Sequence, residues 1–228
     1  MKRQDLICIV PDPWDEVWRR RHHLITRFAR HNRVLWVEAP RFFLLSGLEG
    51  IRRVVRRNTL SQVRDNLFIY RPCYPLPFGE SALRRGIGLI HRLNEWSCLL
   101  QIKAAIRHLG VTHPILWLYY TEISEQLIGQ CSERLVVCDV FDKYSAFFDS
   151  WGAKRVEEQE ARLLSQVDLV FAVSEQLCAY CRQFNQNVFL VPNGVDISLW
   201  DRRDTQNVSP PDIGLHAPVL GYVGGVYD

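Results

Sequence analysis

The chain has 228 residues, 47% hydrophobic and 23% charged; that suits a globular protein with one sizeable core, and no apolar run approaches the roughly 20 residues a transmembrane helix needs. Its net charge of +3 conceals an asymmetry: residues 1–110 carry 20 Lys and Arg against 9 Asp and Glu, and residues 111–228 carry 8 against 16. A basic first half suits an anionic partner (a phosphate-bearing substrate, a nucleic acid or an acidic lipid surface), or it is a solvated face with no partner.

The N-terminus runs directly into the apolar stretch Leu6–Val10, without the pattern of a secretory signal, so the cytoplasm is the expected compartment. Leu6–Val10 ends at Pro11 and reads as a buried first strand. Trp18–Arg30 reads as an arginine-rich helix with Leu24, Ile25 and Phe28 on its apolar face, followed by a second strand, Arg33–Glu38, and a third, Asn66–Tyr70. The prolines of Arg71–Pro77 forbid a helix there; a long helix is expected from about Ser81 to Leu109, stopped by Gly110. The alternation then repeats: strand 115–120, helix 124–129, strand 135–140, helix 154–166, strand 168–173, helix 175–184, strand 188–191. Near-continuous apolar strands between helices predict an α/β fold, a doubly wound Rossmann-like parallel sheet.

Seven irregularly spaced cysteines read as reduced packing residues. Cys178 and Cys181 have redox-motif spacing but fall inside a helix, away from the terminus that would stabilise a thiolate, and no second pair completes a zinc site. The first strand-to-helix turn, Pro11–Asp15, lacks a glycine cradle for a dinucleotide pyrophosphate, which argues against an NAD or FAD enzyme.

Ligands of such sheets bind beyond the carboxyl ends of the strands. That rule selects Pro11 to Trp14, Glu38, Tyr119 to Glu122, Asp139 to Tyr144, Ser174 and Asn193 with Gly194. Several have simpler roles open to them. Ser174 is placed to cap a helix and Asn193–Gly194 to turn the chain; Asp139 and Asp142 either bind sugar hydroxyls or position an acceptor, or they cap the following segment or pair with Lys143.

Asp168–Glu175, then Val191–Asp196, then the run Gly221–Gly224, resembles in order the family-4 glycosyltransferases of the two-domain GT-B type. There an Ala-Asp-x-Val-x-x-Val-Ser strand and a Pro-Asn-Gly-Val-Asp crossover end the N-terminal domain. Val140–Phe147 is similar to an Asp-x-x-Asp-x-Tyr/Phe segment of bacterial members that build cell-surface polysaccharides. Trp14 and Arg19–His22 fit the same subgroup less distinctively.

The resemblance implies an N-terminal acceptor-binding domain over 1–196, a linker over 197–217, and at 218–228 the first strand and glycine turn of a truncated donor domain. It implies retaining transfer from a nucleotide sugar to a sugar or lipid-linked acceptor, in cell-surface polysaccharide or glycolipid synthesis, with no cofactor and no metal. The chain alone is expected to be inactive. The alternative is a non-catalytic binding lobe of a split transferase, or a decayed gene fragment.

The expected substrate-binding residues are Trp14, Arg20, Tyr120, Glu122, Asp139, Asp142, Ser174, Asn193 and Gly194. No catalytic residue is assigned: where some family members carry an acceptor-site histidine, this chain has Tyr119–Glu122, and Glu122 either substitutes or the chemistry differs. Phe42 and Phe43 precede a basic amphipathic stretch with Arg52, Arg53, Arg56 and Arg57, read as contact with an anionic membrane surface at the inner face of the cell membrane, or as a helix packed on the sheet. No recognised motif supports nucleic-acid binding.

Overall fold

The computed structural model describes residues 3–42, 60–76, 88–121, 123–148, 150–195 and 197, the side chains of 41, 42, 150 and 151 excepted. The chain divides into two compact units, Met1–Asn193 and Gly194–Asp228, and nearly all that is described belongs to the first.

The first unit is built on one eight-stranded sheet. In chain order its strands are β1 (Asp5–Val10), β2 (Arg33–Glu38), β4 (Ser61–Arg64), β5 (Leu67–Tyr70), β7 (Ile115–Leu118), β8 (Leu135–Val140), β9 (Leu169–Ala172) and β10 (Val188–Leu190); β3 (Arg41–Phe42) and β6 (Cys73–Tyr74) form a separate small parallel pair. The spatial order is β10-β9-β8-β7-β1-β2-β5-β4, parallel except for the β4–β5 hairpin. The winding reverses between β1 and β7, where Ile7 pairs with Leu35 on one side and Leu116 on the other. That makes the β1/β7 boundary the switch point at which a crevice opens beyond the strand ends.

Successive strand residues point to opposite faces, so each strand serves two cores. Ile7, Ile9, Leu35 and Val37 face one side, against α2 (Gly88–His108), α3 (Ser124–Leu127), α4 (Ser150–Gln166) and α5 (Glu175–Cys181). Leu6, Cys8, Val10, Val34 and Trp36 face the other, against Ile25 and Ala29 at α1 (Arg20–Phe28). All seven cysteines are free thiols.

The doubly wound sheet is as the apolar runs predict. The differences lie at the ends and edges. Helix α1 starts at Arg20, two residues later than expected, because Arg19 is extended and its N–H is held by His22 Nδ1 at 3.1 Å. That is the reach-back usually made by Glu or Gln in a capping box. Strand β4 was not expected: Ser61–Arg64 is a largely exposed edge strand, with no apolar run to announce it. Gly110 does stop its helix, at φ 59°, with Val111 N–H donating to Ile106 O and Gly110 N–H to Arg107 O, a Schellman cap.

The amino edge of the sheet is pinned by charge. Arg33 forks onto both Asp5 oxygens at 2.8 and 2.6 Å and donates to Leu109 O, tying β1, β2 and the end of α2 together. Asp168 accepts the Val136 N–H at 2.7 Å, so this residue of the recognised motif sets β9 against β8 at the edge away from the crevice. Ser174 caps α5, accepting from Leu177 N at 3.2 Å.

Candidate functional site at the carboxyl edge

Three elements bring charged side chains to the β1/β7 crevice, the loop after β1, the start of α1 and the end of β8, and the end of β7 brings Tyr119 and Tyr120. Asp139, at the end of β8, has a fully buried carboxylate. Burial pushes its pKa up, and Arg20 opposes that by approaching both oxygens at 3.4 Å. The same guanidinium donates to Pro192 O at 3.0 Å and Asn193 Oδ1 at 3.3 Å. Arg20 therefore joins α1, β8 and the start of the crossover segment through one side chain.

Arg21 is 3% exposed and pairs with Asp12 while its guanidinium lies 4.4 Å over the Phe141 ring and 5.7 Å from the Tyr119 ring centre. Burial lowers its pKa, so the carboxylate and the aromatic faces together stand in for lost water. Arg71 donates to Glu38 at 2.9 Å and to Asp15 at 2.6 Å, and Glu38 also accepts the Trp14 N–H at 3.1 Å. The buried and half-buried arginines of this edge are thus already matched by carboxylates.

Trp14 packs among Trp18, His22 and Trp36, with ring centres 5.3–5.7 Å away. His22 is fully buried. Its Nδ1 accepts from Arg19 N–H, so Nε2 carries the proton and donates to Pro13 O at 3.3 Å. Burial depresses its pKa below the ordinary 6.5, chiefly by desolvating the cation. A group with a lowered folded pKa binds its proton more readily when unfolded, so its contribution to stability is present above about pH 6.5 and is lost as pH falls below it. In melts between pH 7.5 and 5.5, the stability of the wild-type chain relative to His22→Gln, which keeps the reach-back, is expected to fall by up to about 1.4 kcal/mol per pH unit in that window.

The free chemistry lies on the segment after β8. Asp142 is exposed and forms no ion pair among the described residues; the alternative of pairing with Lys143 is not made, because Lys143 bonds Glu157 at 3.0 Å and lies 4.7 Å over the Tyr180 ring. A 3₁₀ turn, Tyr144–Phe147, leaves Phe147 69% and Phe148 44% exposed. Beneath it Glu160, on α4, is 5% exposed, accepts the Tyr144 N–H at 3.0 Å and the Tyr180 hydroxyl at 3.3 Å, and has its pKa raised by burial. Tyr120 donates to Gln159 at 2.7 Å and its ring centre is 5.0 Å from that of Tyr144. The Tyr144 hydroxyl is buried without a partner among the described residues. The cavity between Tyr120, Asp139, Tyr144, Glu160 and Tyr180 measures about 20 Å³, the size of one water, so a larger ligand meets the rim above it.

A larger hollow, about 320 Å³, lies at the opposite edge, lined by Lys103, Ile106, Arg107, Val111 to His113 and Gln130 to Ser132. It is remote from the switch point, and the strand ends there are pinned by Arg33 and Asp168; the converging polar groups favour the carboxyl edge.

Of the expected site residues, Trp14, Arg20, Tyr120, Asp139, Asp142 and Asn193 come to this edge, with Ser174 engaged as a cap. Asn193 and Gly194 make no left-handed turn, since neither has a positive φ; residues 191–195 are irregular. Glu122, Phe43, Arg52, Arg53, Arg56 and Arg57 lie outside the described residues, as does the side chain of Phe42. Arg71 and Glu160 were not among the residues the sequence pointed to; Tyr144, Arg21 and His22 lie in stretches it singled out, Asp139 to Tyr144 and Arg19–His22, but were not among the expected substrate-binding residues. The arginine cluster signalled two of them, but Glu160 is one acid among several on a polar helix. Among the described residues no cluster of three or more His, Cys, Asp or Glu is arranged to hold a metal ion.

No protein-family model and no curated protein matches this sequence. Among solved structures the chain is similar to sucrose-phosphate synthase from Thermosynechococcus elongatus, at 14% identity and a TM-score of 0.51 over 86% of this chain and 94% of that one. A second likeness is to MurG of Acinetobacter baumannii, at 9% identity and a TM-score of 0.31 over 86% of this chain and 70% of that one. The first likeness and the strand order together show that the chain shares a doubly wound, Rossmann-like α/β fold with that structure.

Proposed function

We propose that this lobe holds the acceptor of a sugar transferase, in a retaining transfer from a nucleotide sugar that serves cell-surface polysaccharide or glycolipid synthesis. The observation that carries the reading is the carboxyl edge itself. An unpaired carboxylate (Asp142) and exposed aromatic rings (Phe147, Phe148) stand together above a rigid base of buried, neutralised charges. A carboxylate suits sugar hydroxyls, and an aromatic face suits the apolar C–H face of a pyranose. The order of motifs over residues 135–228 supports the same reading, with the donor nucleotide held by a second lobe.

Saturation-transfer NMR of the chain with a panel of p-nitrophenyl glycosides tests it. Sugar-ring protons are expected to receive saturation, and Asp142→Ala and Phe147→Ala are each expected to weaken binding about tenfold, the scale of one lost hydrogen bond to a charged group or one lost ring contact. A panel that gives no saturation, or signals indifferent to both substitutions, contradicts the proposal.

A further inference from the structure

Helix α2 is apolar on two sides. Its inner side, with Cys98, Ile102, Ala105 and Ile106, packs in the core. Its outer side leaves Leu89 70%, Leu93 43%, Trp96 61% and Leu100 42% exposed. The spacing of these four is four, three and four residues, one continuous stripe about 16 Å long at 1.5 Å per residue. A single exposed leucine needs no explanation, but four large apolar side chains in register on one helix face do.

The charges on that face are of one sign. Arg92 lies beside Leu93, and Arg107 continues the stripe beyond Leu100; both are exposed. The nearest acid, Glu95, is turned to the flank, where it bonds His91 at 3.3 Å and Gln126 at 2.7 Å. A row of large apolar side chains flanked by basic ones is the pattern of a helix that lies in the plane of a membrane surface.

We propose that the outer face of α2 docks on an anionic lipid bilayer, with Leu89, Leu93, Trp96 and Leu100 entering the headgroup–acyl boundary and Arg92 and Arg107 meeting lipid phosphates. Charge complementarity selects this occupant. The first 110 residues carry 20 basic against 9 acidic side chains, and pairing with a second copy sets Arg92 and Arg107 against a like-charged face, whereas an anionic surface neutralises them. The surface differs from the one expected at Phe42–Arg57 and does not depend on the transferase reading.

Vesicle co-sedimentation of the full chain tests it, using phosphatidylcholine alone and phosphatidylcholine with phosphatidylglycerol. Binding is expected to the mixed vesicles, to weaken with salt, and to fall about tenfold or more both in the double variant Leu93→Ser/Trp96→Ser and in Arg92→Glu/Arg107→Glu, with unchanged circular dichroism. No binding to mixed vesicles overturns the proposal. So does undiminished binding by both double variants, which would move the contact elsewhere. A dimer in light scattering that Leu93→Ser/Trp96→Ser converts to monomer, without vesicle binding by the wild type, overturns it in favour of a second copy.

Discussion

Replacing Arg20 with alanine is expected to cost about 3 kcal/mol of stability, at the low end of the range for breaking a buried ion pair. Asp139 has no exposed side-chain surface, so without Arg20 its carboxylate keeps the burial penalty and loses its main counter-charge. Arg21 and the Tyr119 hydroxyl still face it, which is why the low end applies. Asp139→Asn is expected to cost less, about 1 kcal/mol, because Arg20 is partly exposed and keeps its bonds to Pro192 O and Asn193 Oδ1. The double variant Arg20→Ala/Asp139→Asn is then expected to be more stable than Arg20→Ala alone.

Acidity gives the pair a second signature. The Asp139 pKa is raised in the folded chain and rises further when Arg20 is removed. A carboxyl with a raised folded pKa keeps its proton longer folded than unfolded, so stability increases as pH falls through that folded value. The deficit of Arg20→Ala is therefore expected to shrink on going from pH 8 to pH 5, as followed by urea melts at both. A deficit that grows over that range contradicts the assignment. The same substitution also unties the crossover segment, and amide exchange at Asn193 is expected to speed up.

Trp36→Ala carries the other large effect. Trp36 is fully buried on β2, with Trp14 edge-on at 5.3 Å and His22 at 4.7 Å. Deleting a buried tryptophan costs about 3–5 kcal/mol, or about 10 °C in melting temperature for a unit of this size. The loss reaches the site, because the cluster fixes the loop that carries Asp12 and Asp15, the partners of Arg21 and Arg71. Trp36→Phe, which keeps an aromatic ring against both neighbours, is expected to lose no more than about half as much. Thermal melts of the two variants decide this; equal loss in both would mean that ring packing with Trp14 and His22 is not what the residue supplies.

The sheet was legible because burial on both faces writes strands such as Leu6–Val10 and Leu135–Val140 as unbroken apolar runs. Strand β4 was not, since an exposed edge needs no apolar residues. The carboxyl-edge rule found Arg20's partner Asp139 and the free Asp142. It could not show that Arg21 and His22 turn inward while Arg19 stays half-exposed, because that depends on where α1 begins, and the start is fixed by a histidine acting as a cap. Glu160 acts through Tyr144, sixteen residues earlier in sequence, and only the packing of α4 under the 3₁₀ turn joins them.

The measurement that bears most directly on the acceptor reading is amide hydrogen exchange with and without the glycoside that gives the strongest NMR saturation. Slowed exchange is expected at residues 119–121 and 139–148, on the carboxyl edge. Protection confined to residues 103–113 and 130–132, around the hollow at the amino edge, would contradict it.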